Sequence, residues 1–308
     1  MSVLVVGSVA LDTVQTPFGS VVEALGGSAT YFSIAASLFT KVSLVAVVGS
    51  DFPSEHIGLL ERADVDLKGL QIREGKTFRW AGRYDFDLNT AHTLDTQLNV
   101  FATFHPSLPE SYRDAQFVFL ANIDPDLQFE VLQQVAGAKL KVMDTMNFWI
   151  EGKRESLTRT ISAVDIVLMN EAEVRQYTDT YNLVAGARKI LGLGPKAVVV
   201  KQGEYGCVMF SGSEYFVAPA YPLDQVKDPT GAGDSFAGGF IGYLARVGEV
   251  TPVAIKRAIV HGCVVASFTV EDFSVERLRC VSQAEIACRY REFQEFTSFD
   301  EMPSRSYS

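Results

Sequence analysis

The stretch Asp228-Pro229-Thr230-Gly231-Ala232-Gly233-Asp234-Ser235-Phe236-Ala237-Gly238-Gly239-Phe240-Ile241 sets a Gly-Ala-Gly turn and an acid at the start of an apolar helix. A helix start leaves backbone N–H groups without intrahelical partners and carries the positive end of the macrodipole. Gly231, Ala232 and Gly233 can therefore bring amides up to a developing negative charge. Asp234 sits beside that anion hole, where a carboxylate can accept the proton of an attacking hydroxyl while the amides stabilise a transferred phosphoryl group. Taken alone, Gly-Ala-Gly-Asp reads equally well as a glycine-rich helix N-terminus whose acid stabilises the helix.

The longer stretch separates the two readings. Each of the 14 positions from Asp228 to Ile241 holds a residue type allowed by the second signature of the ribokinase-like carbohydrate kinases, the PfkB family. The chain resembles that family over nearly its whole length. The resemblance implies that Asp234 is the catalytic base, that the amides of Gly231, Ala232 and Gly233 form the anion hole, and that Asp228 and Thr230 serve the nucleotide.

Outward from this signature, strand-like and helix-like patterns alternate. Val3 to Val6 and Val42 to Val48 are apolar runs separated by a helical stretch near 28 to 39, which is βαβ material. Phe117 to Leu120, Leu140 to Met143, Asp165 to Met169 and Ala197 to Lys201 read as buried strands, with helical segments near 127 to 136, 154 to 162 and 182 to 191. Cys207 to Phe210 and Glu214 to Ala218, joined by Ser211-Gly212-Ser213, read as a β-hairpin. Helical patterns at 232 to 246, 252 to 268 and 282 to 296 follow, and the tail after Phe296 reads as frayed. The pattern predicts an α/β chain with a mostly parallel sheet between helix layers and ligands at the carboxyl ends of the strands. The resemblance implies one ribokinase-like three-layer domain over 1 to 308.

One region breaks the alternation. Between Gln71 and Phe104, Phe78, Trp80, Tyr84 and Phe86 fall on one side of a period-2 pattern whose other side holds Arg79, Arg83, Asp85 and Asp87. These are strands of a small separate sheet. The aromatic stripe is either a face packed on the core or a cover that closes over a substrate or clasps a second subunit. The resemblance implies a β-sheet lid from about 71 to 104 and about 13 to 25, with a homodimer through the lid as a further option.

Other polar residues gain roles through the resemblance. Asp12, just past the first strand, reads alone as a turn acid; in the family an acid here binds sugar hydroxyls, and Gly26 and Gly27 let the backbone approach the sugar at the lid hinge. Where the family has Asn a few residues on, this chain offers Thr30 or Tyr31, which alters the hydroxyl pattern it can read; Tyr31 could stack on a base or ring. Asp144 and Asn147 match polar positions on the sugar or phosphate side. Asn170 and Glu173, three apart on a first helical turn, read as a capping box and, by resemblance, as the pair that orders Mg²⁺-bound water. Lys201, Gly203 and Gly206 lie in a turn that resembles the family's nucleotide contact.

Composition narrows the rivals. The 308 residues carry a net charge of −10 and are 47% hydrophobic, with a pI near 5.0 and mean hydropathy of +0.12. No basic cluster suggests nucleic acid or an anionic membrane, and neither a signal peptide nor a membrane span is apparent, which points to the cytoplasm. Cys207, Cys263, Cys280 and Cys288 lack metal-ligand spacing and read as reduced thiols. His56, His92, His105 and His261 are scattered, with His92 in the lid the one to watch. There is no P-loop motif, and the first strand continues as GSVALD, which is not a dinucleotide fingerprint. The expected activity is an ATP-dependent kinase acting on a hydroxymethyl group of a sugar or nucleoside, with ATP, Mg²⁺ and room for a monovalent cation. The alternative is a catalytically silent metabolite-binding regulator on the same fold.

Overall fold

In the computed structural model, which describes residues 2–300, the strands are β1 (Ser2–Val6), β2 (Ala10–Thr16), β3 (Gly19–Gly26), β4 (Lys41–Gly49), β5 (Val65–Arg73), β6 (Phe78–Tyr84) and β7 (Ala91–Gln97). The second half adds β8 (Phe117–Leu120), β9 (Leu140–Met143), β10 (Ile166–Asn170), β11 (Ala197–Lys201), β12 (Cys207–Ser211) and β13 (Glu214–Ala218). The first five helices are α1 (Ser28–Ser37), α2 (Ser54–Arg62), α3 (Pro125–Gln134), α4 (Asn147–Gly152) and α5 (Arg154–Ile161). The other five are α6 (Glu171–Thr178), α7 (Leu183–Leu191), α8 (Ala232–Val247), α9 (Pro252–Thr269) and α10 (Gln283–Thr297). Of the tail expected to fray after Phe296, the part from 301 onward lies outside the described residues.

Nine strands form one sheet in the order β13-β12-β11-β10-β9-β8-β1-β4-β5. It is parallel from β5 to β11, and the β12–β13 hairpin closes one edge antiparallel, as its Ser-Gly-Ser turn predicts. The central strands read as unbroken apolar runs because both faces are covered. Along β1, Val3 and Val5 join a core with Phe32, Phe240 and Val264, while Leu4 and Val6 join the opposite core with Leu157, Ile161 and Val174. All four are fully buried, each worth about 1.5–3 kcal/mol in apolar transfer.

Glycines set the position of α8. A Cβ on Gly238 would lie 2.5 Å from the Ala35 Cβ and 2.6 Å from the Phe32 carbonyl oxygen, and one on Gly242 would lie 3.1 Å from the Ala36 Cα. With hydrogens there instead, α8 lies directly on α1. That contact delivers the Gly-Ala-Gly turn to the carboxyl ends of the sheet strands.

The second sheet has the order β3-β2-β6-β7, with β2 and β6 parallel. Its bounds differ from the expected 13–25 and 71–104. Residues 71–73 complete β5 at the edge of the main sheet, and Asn99–Thr103 is a 3₁₀ turn whose Val100 is buried, with Phe104, in the main core. Phe101 stacks on both Phe78 (5.4 Å) and Phe104 (5.7 Å), which draws the end of the segment down onto the large sheet. The aromatic stripe divides accordingly. Phe78 packs toward the core, Trp80 is the lateral neighbour of Asp12, and Phe86 is 80% exposed beside Phe18.

Candidate active site

Of the polar residues singled out in the sequence, Asp12, Asp144, Glu173, Lys201, Asp228 and Asp234 converge where β9, β10 and β11 end, α8 begins and the small sheet overhangs, whereas Asn147 does not join them. The helix start is open. Gly231 is its N-cap at φ 76°, and no side chain caps it. Ala232 N–H donates to the Pro229 carbonyl and Ser235 N–H to the Gly231 carbonyl, which leaves the Gly233 and Asp234 amides without an acceptor among the described residues. Gly231 has a second constraint: a Cβ there would lie 2.3 Å from the Tyr31 ring. Tyr31 is 2% exposed, so its ring is a floor under the turn and is not a free platform for stacking on a substrate. That expectation is corrected, because exposed and buried aromatics on an apolar helix look alike in sequence. Thr30, the other candidate at this point of the chain, is fully buried beside it.

Asp234 projects from the first turn of α8, half-buried. Loss of hydration pushes its carboxyl up to about 8; Asp144 adds repulsion and Lys201 works against it. Raising the pKa toward the working pH makes the ionised carboxylate a stronger proton acceptor, which suits a general base. Asp12 on β2 is 5% exposed, and burial pushes it to about 7 despite the hydrogen bond that its Oδ2 accepts from Gly27 N–H at 3.2 Å. A Cβ on Gly26 would land 1.9 Å from that Oδ2. The glycine therefore makes room for the Asp12 carboxylate, a nearer reason for its smallness than approach to a sugar. Gly27, at φ 94°, would carry a Cβ 2.5 Å from the Ser8 carbonyl oxygen.

Asn170 and Glu173 form a complete capping box at α6. Asn170 Oδ1 accepts from Glu173 N–H (2.8 Å), while Glu173 Oε2 and Oε1 accept from the Asn170 backbone N–H and Nδ2 (2.7 Å each). Burial raises Glu173 to about 7, with Lys201 opposing. Lys201, at the end of β11, pairs with Asp144 Oδ2 at 2.5 Å, their side chains 19% and 5% exposed. Burial disfavours the ammonium, but Asp144 and Glu173 outweigh it and hold Lys201 above the ordinary lysine range. Asn147 begins α4 on the exposed surface, two residues before Trp149, whose indole donates to Asn122 Oδ1 at 3.0 Å. Asn122 follows β8, and nothing in the sequence around it singles it out.

Asp228 is 1% exposed and its carboxyl is raised by burial. Its Oδ1 accepts from Thr230 N–H at 2.9 Å, and its Oδ2 has no hydrogen-bond partner. The Thr230 hydroxyl donates to Tyr84 Oη at 3.2 Å, joining the helix-start loop to the small sheet. Beside this lies a cleft of about 570 Å³, walled by Gly203, Gly206 and Cys207 on one side and Cys263, Ser267 and Val270 of α9 and its C-cap on the other. Ala220 to Leu223 and the tip of the β6–β7 hairpin complete it, with Asn89 Oδ1 3.2 Å from where a Gly203 Cβ would stand. Sequence reasoning misses the α9 wall because residues at 263, 266, 267 and 270 have the helical spacing of an ordinary packing face.

Known proteins resemble this chain in sequence and fold. A model of the pfkB family of carbohydrate kinases matches residues 2–278. A cytidine kinase from Thermococcus kodakarensis is 33% identical over 84% of this chain and 95% of its own length. An inositol 3-kinase from Arabidopsis thaliana is 27% identical over 87% of this chain and 74% of its own length. Among solved structures, the Methanocaldococcus jannaschii nucleoside kinase superposes with a TM-score of 0.76 at 20% identity, covering 94% of this chain and 98% of that one.

Proposed function

The chain belongs to the pfkB family of carbohydrate kinases, and from that premise we propose that it transfers the γ-phosphoryl group of ATP to a hydroxymethyl group of a nucleoside or sugar, Asp234 taking the hydroxyl proton. One observation carries the reading. Asp234 stands in the first turn of a helix whose Gly233 and Asp234 amides are unsatisfied, so base and anion hole occupy one point. Asp12, buried at the junction of the two sheets, positions the acceptor through its free lone pairs. Trp80 and Tyr84 wall that side, and the cleft along α9 takes the nucleotide. A regulator without turnover has no need of the base and open helix start together.

The residues that would hold Mg²⁺ are Asn170 and Glu173. A metal bound by one or two carboxylates, water and phosphate oxygens would need only such a pair. When bound, Mg²⁺ neutralises phosphate charge. The unpartnered Asp228 Oδ2 suits a monovalent cation. The exposed strand β7 offers an edge to a second copy, and no described helix is long and apolar enough to cross a membrane.

The relatives' names favour a base-bearing acceptor. A panel of nucleosides, pentoses, hexoses and inositols, assayed for ADP release with ATP and Mg²⁺, tests this. A pyrimidine or purine nucleoside should give the highest kcat/KM. Phosphorylation of inositol alone would reassign the acceptor, and turnover with no member of the panel would restore the regulator.

A further inference from the structure

Lys201 has one hydrogen-bonding partner and a second, unfilled direction. It ends β11 and crosses toward α8, where a Cβ on Gly233 would lie 3.1 Å from its Nζ. The ammonium therefore fills the space beside the helix start that any other side chain at 233 would contest. Of its three N–H donors, one goes to Asp144 Oδ2; the carboxylates of Glu173 and Asp234 lie within electrostatic reach but accept none. It is also the only lysine or arginine lining the cleft among the described residues. Five carboxylates, Asp12, Asp144, Glu173, Asp228 and Asp234, otherwise dominate the site, and a triphosphate entering it needs compensating positive charge.

We propose that Lys201 grips the γ-phosphoryl group during transfer, sharing its ammonium between Asp144 and the phosphate oxygens, and that Asp144 is the positioning residue that holds the ammonium in place between turnovers. In the step itself, the bond from the β,γ-bridging oxygen to phosphorus breaks and its electron pair leaves with ADP. The acceptor hydroxyl oxygen bonds to phosphorus, and its proton passes to Asp234. Lys201 keeps its protons and supplies charge only. An ammonium is a compact point charge with rotatable donors, whereas a guanidinium is a larger planar fork of fixed geometry, so the two are not interchangeable in the space left by the absent Cβ of Gly233.

The inference rests on the kinase reading above, and equilibrium binding separates the two. Affinities for AMP, ADP and the β,γ-imido analogue of ATP are measured calorimetrically, with Mg²⁺ and without acceptor, for the wild type, Lys201→Met and Lys201→Arg. Loss of a charge-assisted contact predicts roughly 10- to 100-fold weaker binding of the triphosphate analogue by Lys201→Met. ADP binding should change by less than about threefold, and Lys201→Arg should recover only part of the loss. Because Lys201→Met leaves Asp144 buried and unpaired, the double variant Lys201→Met/Asp144→Asn carries the same test if the single one does not fold. Equal losses for ADP and the triphosphate, or no loss, overturn the role of Lys201. A wild type that binds the analogue no better than AMP contradicts the kinase reading instead.

Discussion

Ionising Asp234 works against the fold. A carboxyl whose folded pKa is raised, here to about 8 by lost hydration, binds its proton more tightly folded than unfolded. Its contribution to stability is therefore most favourable at acid pH and declines as pH rises from about 4 through 8. Asp234→Asn should remove that penalty, raising Tm at pH 8 relative to wild type and much less at pH 5. Calorimetry at the two pH values checks this, and a Tm that falls at pH 8 would make Asp234 a stabilising ion-pair member. For the wild type, kcat/KM should climb with pH toward a limb near 8 as the free base loses its proton. Glu173→Gln keeps an acceptor for Asn170 N–H but loses a negative charge, so it should raise the Mg²⁺ concentration needed for activity more than the acceptor KM. The opposite ranking would place Glu173 with the acceptor or make it a helix cap only. The grouping of Asp234 with the Gly-Ala-Gly turn and the Asn170–Glu173 capping box were legible in the sequence because one helical turn holds each together. The Asp144–Lys201 pair, 57 residues apart, was not, since each partner alone looks like a polar residue at a strand end.

The β6–β7 hairpin is the element that reaches both proposed ligand regions. Tyr84 meets Thr230 near Asp12, and the tip places Asn89 against Gly203. With Trp149→Phe isolating its fluorescence, Trp80 should respond to acceptor more than to ATP alone, while amide exchange at 85–90 should slow with ATP. A Trp80 insensitive to both ligands would make the small sheet a static wall. The helix-start turn gives a second test. Gly212 and Gly231 both have positive φ, but a Cβ on Gly212 meets nothing within 4 Å, whereas one on Gly231 strikes Tyr31. Gly212→Ala should cost about 1 kcal/mol, the backbone strain alone, and Gly231→Ala clearly more, by chemical denaturation. Equal losses would mean that Tyr31 moves aside. Period-2 alternation revealed β6, but β5 hid. Its sequence, VDLKGLQIR, mixes polar and apolar residues because it is an edge strand with one sparsely covered flank, and α2 beside it shows only Leu60 fully to the core.

Across the whole molecule, the parallel sheet was legible because strands buried on both faces leave continuous apolar runs, as in Val3 to Val6 and Ala197 to Val200. The way the two sheets meet was not legible, since it depends on contacts such as Thr16 Oγ1 to the Lys227 carbonyl and Ser274 Oγ to the Leu25 carbonyl, 211 and 249 residues apart in sequence. That junction is what brings Asp12 toward Asp234, so the proposed acceptor-binding residue and the proposed base meet only in the folded chain. The meeting is tested most directly by following γ-³²P from ATP into the preferred acceptor, with wild type and Asp234→Asn side by side. Direct transfer with Asp234 as base predicts one labelled acceptor per ADP formed and a rate lower by roughly 10²- to 10⁴-fold in the variant, with ATP affinity unchanged. Label transfer by Asp234→Asn at the wild-type rate would contradict it.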